Sequence, residues 1–472
     1  MLTRKQIFPE PNLPDWQDLA DEGKAMAHDW HLTPGAYLTH HNATSETEVK
    51  RRHIANKTIS QHAQIGYRDQ AKTQRAWAEI YETCAAENTN VERYGICLDW
   101  SMGVPRDARK NSLKGTGLIL NDPQDFAALT AKAPVAPHFG DFVLGFPAAI
   151  ENTQAALAAG SSYIGNLGQY FTFRLPGFDD DIQATKATLT ALALIAAQPA
   201  TVTVHSNLDD GFAAQFADMT SSIGAALIER YIVEDLIGGT IAHCWGHHFS
   251  NPFERLAFHI ALTEASPHPG SMIYANTTSY RGGSAQNYAA LGAYLCADIH
   301  GQTLYPSGHA INPAPVTENQ RIPDIDEIID AQLFAGRLIE RQQGAEAMIN
   351  AEPLTQMAAK ISAGGRIFRD NVLSGLAAAG IDIKNPFEML LAIRRIGGRA
   401  LETQFGATND LPSPVQQEID EIAIDRARHI KPQDAKAFAA WSPRIIIAAT
   451  DVHEHGARIV EQVLSKAGAT IT

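Results

Sequence analysis

The sequence is poor in cysteine and shows none of the patterns by which cysteines build a cofactor site. Its four cysteines, Cys84, Cys97, Cys244 and Cys296, are widely scattered and form no CxxC pair. A cluster of the kind that holds an iron–sulfur centre is therefore excluded. Reduced thiols are typical of the cytoplasm, and we expect a cytoplasmic protein.

Long apolar runs and a basic face are also missing. The N-terminus has no apolar core of a secretory signal. The most apolar segment, Thr188 to Ala197, is about half of the ~20 residues that cross a bilayer, and it predicts a buried helix. A formal net charge of -14 argues against nucleic acid as a partner, because phosphates would need a basic stripe to neutralise them.

What the sequence does contain is a regular alternation of short apolar runs and amphipathic stretches within its 472 residues. Residues 1–90 are polar and predict a helical N-terminal region. From 91 to 322 the alternation predicts parallel strands joined by helices, and the count favours an α/β fold of the (β/α)8 TIM-barrel type over a doubly wound sheet. The predicted strands are 94–98, 117–120, 142–146, 162–165, 201–205, 240–244, 271–275 and 301–305.

Two further parts follow the predicted barrel. Residues 323–440 predict a helical region that ends in a linker. The apolar run 444–450 then predicts the first strand of a second α/β domain, which begins at about residue 441.

A compact motif follows that last strand. It reads Asp451-Val-His453-Glu-His-Gly456 and leads into a stretch with helical periodicity. A neutral imidazole is a suitable ligand for cobalt, and a carboxylate two residues away can accept its other N–H and fix its tautomer. A glycine allows the backbone to approach a flat macrocycle closely.

The strand, motif and helix together resemble the cobalamin-binding domain shared by carbon-skeleton mutases and methionine synthases, whose DxHxxG motif follows the first strand of a parallel sheet. The resemblance implies that Asp451, His453 and Gly456 bind cobalamin, with His453 as the ligand of its cobalt. In that family a Ser-x-Leu strand and a Gly-Gly turn later in the domain complete the site, and residues 457–472, which follow the motif here, contain neither. Truncation, completion by a separate cobalamin-binding subunit and loss of binding are the three alternatives.

The predicted barrel resembles the large subunit of the glutamate mutase (methylaspartate mutase) family over roughly residues 140 to 405. The matching pieces are Gly145-Phe-Pro147, residues 159–168, Gly308-His-Ala310 and residues 390–405. The resemblance implies an adenosylcobalamin-dependent isomerase, a radical carbon-skeleton mutase acting on a small carboxylic or amino acid. It also implies a homodimer that works with a small cobalamin-binding partner.

Candidate residues lie in the loops after the predicted strands, where barrel enzymes place their reacting groups. Tyr305 and His309 stand where the family has a lysine and a glutamate that help to hold an amino acid, so the substrate need not be glutamate. We expect both residues to be catalytic, with His309 as a proton donor or hydrogen-bond partner; a buried structural histidine is the alternative. The predicted substrate-binding residues are Asn166, Tyr170, Arg174, His205, His243, Tyr280 and Arg281.

Particular chemistry motivates several of these choices. Arg174 and Arg281 are candidate carboxylate clamps, because a guanidinium pairs bidentately with a carboxylate. Tyr170 and Tyr280 are candidates to stack on the adenosyl group. His243, with the neighbouring pair at 247 and 248, leaves a zinc site as an alternative, although the spacing matches no specific zinc signature.

Two other functions remain open at this point. A corrinoid-dependent methyltransferase would use methylcobalamin in place of the adenosyl form. A noncatalytic cobalamin-binding scaffold or sensor would show neither activity.

Overall fold

The computed structural model describes residues 3–178, 180–246, 248–249, 251–407, 410–417 and 419–420, together with 444–445, 460–462, 465 and 470–471. This part of the chain is a mixed α/β protein with parallel sheets. The strands are β1 Gln61–Ile65, β2 Val91–Ile96, β3 Ala136–His138, β4 Tyr163–Ile164, β5 Thr203–Asn207, β6 Thr240–Trp245, β7 Met272–Ile273, β8 Arg444–Ile445 and β9 Thr470–Ile471.

Helices surround and follow the strands. They are α1 Arg4–Ile7, α2 Trp16–Met26, α3 Ala36–His40, α4 Glu46–Asn56, α5 Gln70–Ala86, α6 Arg106–Arg109, α7 Pro123–Thr130, α8 Ala149–Ala158, α9 Gly168–Thr172, α10 Asp181–Ala196, α11 Met219–Arg230, α12 Pro252–Ala265, α13 Ser284–Leu304, α14 Ile325–Arg341, α15 Ala351–Ala378, α16 Pro386–Ile396 and α17 Gly398–Phe405. None of the described helices is both long and apolar enough to cross a membrane.

Local sequence signals explain where many helices begin. Asp69 accepts a hydrogen bond from the backbone N–H of Lys72 and caps α5. Asn251 and Asn385 cap α12 and α16 in the same way, and each is followed by a proline at the first helical position. Side-chain caps and an N1 proline satisfy backbone donors that a helix start would otherwise leave unpaired.

Strands β1 to β7 form two parallel ladders that adjoin edge to edge. One ladder has the order β1-β2-β3 and the other has the order β4-β5-β6-β7. A parallel bridge between Phe139 and Ile164 joins β3 to β4. On the far side, Ile311 forms a parallel bridge with Gln61 of β1.

The 307–312 segment, which contains Ile311, is also hydrogen-bonded to the chain just before β7, the last strand of the second ladder. The carbonyl of Ser307 accepts a hydrogen bond of 3.0 Å from the backbone N–H of Gly270, just before β7. The carbonyl of Ile311 accepts one of 2.8 Å from His62. The segment therefore has backbone bonds on both sides, one to the chain before β7 and one to β1.

Three of the predicted strands are wrong. Residues 117–120 contribute only a single bridge between Leu118 and Leu98. Residues 142–146 are a series of turns in which Phe142 and Gly145 have positive φ, and Gly145 packs directly against the backbone of Tyr170. Residues 301–305 are the end of α13, because the helical pattern that begins at residue 284 continues through them.

The sheet also contains segments that the hydrophobic pattern did not predict. Strand β1 lies inside the region predicted to be helical, and its sequence Gln-His-Ala-Gln-Ile is mostly polar. Strand β3 and the 307–312 segment are short and contain proline or histidine. Interior polar residues hide such strands from a hydrophobicity pattern.

The helices after residue 323 pack onto the same core as the strands. Helix α15 runs along α11 and α12, and α16 and α17 follow it. The N-terminal segment returns to α16, where the guanidinium of Arg4 donates to Glu388 and that of Arg395 donates to Glu10. Apolar residues from all of these elements belong to one buried cluster.

At the end of the chain, the described residues form a small parallel pair. Arg444 pairs with Thr470 and Ile445 with Ile471. Residues 460–462, which lie between these strands in the sequence, are helical.

Candidate functional site

A cavity of about 270 Å³ lies at the carboxyl ends of the parallel strands. Its size is slightly below the range of roughly 300–1,000 Å³ that is usual for small-molecule sites. Polar side chains dominate its described lining. The lining residues include Gln64, Cys97, His138, Asp141, Asn166, Gln169, His205, Asn207, Asp210, Tyr274, Asn312 and Glu318.

The floor of the cavity is a layer of aromatic side chains from alternate strands. His62, His138 and His205 come from β1, β3 and β5, and Tyr274 follows β7. The ring centroids of His138 and His205 are 4.5 Å apart, those of His62 and His138 are 6.4 Å apart, and those of His62 and Tyr274 are 5.5 Å apart. These distances place the four rings next to one another in a single layer.

These buried imidazoles are neutral. Burial, together with the nearby charges of Arg93 and Lys50, lowers the pKa of His62 to about 3, against the opposing effect of the hydrogen bond that its Nε2 atom donates to Oε1 of Gln64. Burial likewise holds the pKa of His138 and of His205 well below the ordinary value. A neutral imidazole has one nitrogen that accepts and one that donates, so the floor can exchange hydrogen bonds with a ligand in both directions.

Several of these ring nitrogens have no hydrogen-bond partner. Both nitrogens of His205 and the Nδ1 atoms of His62 and His138 are buried and unpaired. Buried polar atoms are normally hydrogen-bonded, so the unpaired nitrogens of His138 and His205, which line the cavity, indicate a site for a polar ligand.

A cluster of paired charges lies next to this floor. Glu46 of α4 forms an ion pair with Lys50, with 2.8 Å between Nζ and Oε1, and a second one with Arg93 of β2. Lys50 also lies 2.9 Å from Nδ1 of His309. Burial lowers the pKa of Lys50 to about 8, while Glu46 opposes that shift. For Glu46, the effect of burial is outweighed by Arg93 and Lys50, which leave its pKa lowered.

One wall of the cavity is a network of amides around a carboxyl group. Asp210 Oδ2 accepts hydrogen bonds from the Nδ2 atoms of Asn166, at 2.7 Å, and Asn207, at 3.1 Å. The Oδ1 atom of Asn166 accepts from the backbone N–H groups of Gly168 and Asn207, which fixes the orientation of that amide. The network therefore holds Asp210 in one orientation.

Two further carboxyl groups line the cavity. Asp141 accepts a hydrogen bond from Gln169 at 3.3 Å, and burial raises its pKa to about 6. Burial also raises the pKa of Glu318. The pKa of Asp210 is raised well above its ordinary value by burial first and then by the charges of Asp209 and Asp141. The site thus concentrates acidic groups that repel one another.

Of the residues predicted from sequence, three lie at or next to this cavity. Asn166 and His205 line it. His309 lies beside the floor, with its ring centroid 6.4 Å from that of His205 and its Nδ1 atom bonded to Lys50. His309 is fully buried, and burial holds its pKa well below the ordinary value.

The two arginines predicted to clamp a carboxylate do not line the cavity. The Nε atom of Arg174 lies 3.5 Å from Asp181, and its guanidinium donates to the carbonyl of Arg394. The Nε atom of Arg281 donates to the carbonyl of Thr278 in its own loop. Both guanidinium groups therefore make contacts away from the cavity.

The three predicted tyrosines also lie outside the lining. The hydroxyl group of Tyr170 bonds to Thr185 at 2.8 Å, and that of Tyr280 donates to the carbonyl of Ala314 at 2.9 Å. Tyr305 follows the last residue of α13. The contacts of Tyr170 and Tyr280 are structural, because each of these two buried hydroxyl groups ties one element to another.

His243 faces a helix. Its Nε2 atom lies 3.3 Å from Glu229 of α11, and both side chains are fully buried. His248 lies 3.5 Å from Asp209, and residue 247 is outside the described part. Within the described residues, no group of three or more His, Cys, Asp or Glu side chains is placed to hold a metal ion.

The motif residues Asp451, His453 and Gly456 lie outside the described residues. Strands β8 and β9, which lie before and after the motif in the sequence, are described and pair in parallel.

Sequence reasoning missed most of the residues that shape the cavity, among them His62, His138, Asp141 and Asp210. His62 and His138 lie in strands that were not predicted. Asp141 follows β3, and Asp210 follows β5 within a loop already recognised as polar. For the aspartates, the signal was available as a carboxyl group just after a buried strand.

No protein-family model and no curated protein matches this sequence.

Proposed function

We propose that this protein is an adenosylcobalamin-dependent isomerase that rearranges a small carboxylic or amino acid in the cavity described above. The observation that carries the proposal is a buried polar cavity at the carboxyl ends of parallel strands, floored by neutral histidines with unpaired nitrogens. Reacting groups lie at this end of the strands in parallel α/β enzymes.

The proposal includes a (β/α)8 barrel as the catalytic domain. The two ladders are linked by the bridge of Phe139 with Ile164, and the 307–312 segment is bonded both to β1 and to the chain before β7. Eight segments in that order would close a barrel. The layer of side chains from β1, β3, β5 and the end of β7 supports closure, since barrel interiors fill in layers from alternate strands.

The end of the chain fits a cobalamin-binding unit. Among the described residues, β8 lies before the motif in the sequence, residues 460–462 after it are helical, and β9 pairs in parallel with β8. A helix between two parallel strands is the connection expected in a parallel α/β domain. In that unit His453 would hold the cofactor, Asp451 would fix the tautomer of His453, and Gly456 would leave room for the macrocycle. When bound, adenosylcobalamin supplies a carbon-centred radical that removes a hydrogen atom from the substrate.

The residues of the cavity bind and orient the substrate. Asp210 is held by Asn166 and Asn207, so its free carboxyl oxygen offers one fixed hydrogen-bonding position. The neutral rings of His138 and His205 provide polar contacts without a net charge. Enclosure by buried side chains excludes water, which protects reactive intermediates from side reactions.

The cofactor assignment is tested by measuring cobalamin retention. The purified chain is mixed anaerobically with adenosylcobalamin, with and without a separately supplied cobalamin-binding subunit, and then gel-filtered. We expect His453→Ala to lower retained cobalamin, because it removes the proposed ligand of the cobalt. His455→Ala, a neighbouring histidine outside the motif positions, is the matched control and should retain cobalamin like the wild type.

The outcomes separate the three functions. Retention that depends on His453, with turnover only in the adenosyl form, supports an isomerase. Turnover with methylcobalamin and a methyl donor instead indicates a methyltransferase. Retention without any turnover indicates a noncatalytic cobalamin-binding protein, and no retention under any condition contradicts the cofactor assignment.

A further inference from the structure

We propose that the cavity selects a small molecule that presents an ammonium group, and that it does not hold its ligand through a carboxylate. This proposal narrows the substrate class of the proposed function. It rests on the proposed function for the reaction that follows binding, but not for the binding itself. Binding itself can be measured without any cofactor, so the two proposals can fail separately.

The described lining of the cavity carries carboxyl groups but no lysine or arginine. The carboxyl groups are those of Asp141, Asp210 and Glu318. Arg93 and Lys50 are nearby, but both form ion pairs with Glu46 and neither lines the cavity. A carboxylate ligand would therefore enter a site without a cationic partner, which is costly for a buried charge.

Unpaired acceptors provide a second, independent observation. Asn207 uses its Nδ2 atom to donate to Asp210, so its Oδ1 atom is fixed as an acceptor, and this buried atom has no hydrogen-bond partner. His205 is only 1% exposed and has two unpaired ring nitrogens, of which one accepts in the neutral form. An ammonium group has three donors and no acceptor, so it matches a site that offers carboxyl and amide oxygens.

The hydrogen bonds within the wall aim one acceptor into the site. Both amide donors bind the Oδ2 atom of Asp210, at 2.7 and 3.1 Å, and leave its Oδ1 atom available. A charge-assisted hydrogen bond from an ammonium group to this oxygen would be roughly twice as strong as one between neutral groups. A carboxylate on the ligand would instead add to the repulsion among Asp141, Asp209 and Asp210.

Binding of a cation is expected to release protons. The titratable groups around Asp141 and Asp210 are Asp209, Glu318, Cys97, His138, His205 and His248. His248 lies beside Asp209. Burial raises the pKa of Asp141 to about 6, and the pKa of Asp210 is raised further in the same direction. An ammonium group beside them favours their ionised forms, so it lowers both pKa values and displaces the bound protons.

The experiment titrates the full-length protein with three probes of similar length: putrescine, the diol with the same carbon chain, and succinate. Isothermal titration calorimetry is run at neutral pH in two buffers that differ in their heat of ionisation. We expect putrescine to bind at least ~10-fold more tightly than the diol or succinate, a difference of about 1.4 kcal/mol. We also expect a buffer-dependent heat that reports proton release.

Variants identify the site of binding. Asp210→Asn keeps the shape of the wall but removes the carboxyl group that would ionise beside a bound ammonium group, and it should weaken putrescine binding by roughly 10-fold. Asp330→Asn removes one negative charge from an exposed position on α14, so it controls for the net charge of the protein. If Asp210→Asn fails to fold, Glu318→Gln provides a second lining variant, and putrescine binding by the wild type should strengthen as pH rises through about 6.

Several results would overturn this inference. They are equal or tighter binding of succinate or the diol, the absence of binding by all three probes, and an equal loss of putrescine binding in Asp330→Asn. Failure of cobalamin retention would leave the result for the amine unaffected, because these titrations contain no cofactor.

Discussion

Buried imidazoles that stay neutral dominate the interior of this protein at the level of single residues. His62, His138, His205 and His309 are each at least nine-tenths buried, and burial lowers the pKa of each. A group whose pKa is lowered by folding contributes stability above its unfolded pKa, and this contribution is lost as the pH falls. Asp141 and Asp210 act in the opposite direction, because folding raises the pKa of both.

The first prediction isolates one of these histidines. The pKa of His62 is about 3 in the folded protein and 6.5 in the unfolded chain, so the unfolded state binds more protons between those values. As the pH decreases below about 6, the free energy of unfolding should fall less steeply in His62→Phe than in the wild type. The two slopes should differ by up to ~1.4 kcal/mol per pH unit. Urea unfolding at a series of pH values measures this slope. The exposed His31→Phe should keep the wild-type slope, and equal slopes in His62→Phe and wild type would contradict the prediction.

The second prediction concerns the buried ion pairs. Glu46, Lys50 and Arg93 are at most 5% exposed, and Glu46 is the anion between the two cations. Glu46→Gln should lower the free energy of unfolding by roughly 3–5 kcal/mol, because it leaves both cations buried without a counter-charge. Chemical unfolding at neutral pH is the measurement. Glu48→Gln lies on the same helix but in an exposed pair with Arg52, and it should change the midpoint little.

Between elements, α11 packs closely on α15. Gly224 of α11 lies against Gly365 and Phe368 of α15, and Gly364 and Gly365 lie against side chains of α11. Glycines on facing sides let the two helices approach more closely than other residues would allow. This contact fixes the helical region that follows residue 323 to the helices around the sheet.

The third prediction tests this contact. A Cβ atom at position 224 would fall on the ring of Phe368 and 2.9 Å from the carbonyl oxygen of Gly365. Gly224→Ala should therefore destabilise the protein by about 1–3 kcal/mol through overpacking. Gly292→Ala in α13 is the matched control, since the nearest atom to its new Cβ is 3.8 Å away. That change should stabilise the protein by about 0.5–1 kcal/mol, as expected for alanine in a helix. Thermal unfolding of both variants is the measurement, and the two changes in stability should have opposite signs.

At the scale of the whole molecule, the N-terminal segment and the helices near residue 390 belong to one core. Ile7 and Phe8 are each 4% exposed and lie in the same apolar cluster as Leu390 and Ile393 of α16. The ion pairs of Arg4 with Glu388 and of Arg395 with Glu10 join the same two parts of the chain. We therefore expect these parts to unfold together.

The fourth prediction follows from that continuity. Phe8→Ala should lower the free energy of unfolding by about 3–5 kcal/mol, since it removes a buried ring and leaves a cavity. The loss should appear in a single transition that includes the helices, measured by far-ultraviolet circular dichroism and by tryptophan fluorescence. Phe253, which is 43% exposed, gives the control Phe253→Ala with little expected change. A local loss without a shift in the main transition would show that the segment is a separate unit.

The sequence by itself determined the α/β class, the parallel strands β2, β4, β5, β6 and β7, and the strand ends near which Asn166 and His205 lie. Each of these follows from local patterns, since apolar runs bounded by polar loops report burial directly. The motif around His453 is likewise a property of sequence alone, and it remains a prediction.

Only the tertiary structure decided which side chains form the cavity. Strand β1 and the 307–312 segment are polar because their side chains face one another in the interior, so no hydrophobic period marks them. The direction of Arg174, Tyr170 and His243 is set by partners more than ten residues away, Arg394, Thr185 and Glu229, that the sequence does not place nearby. Polar residues satisfy one another through long-range contacts, and the chain must fold before those partners meet.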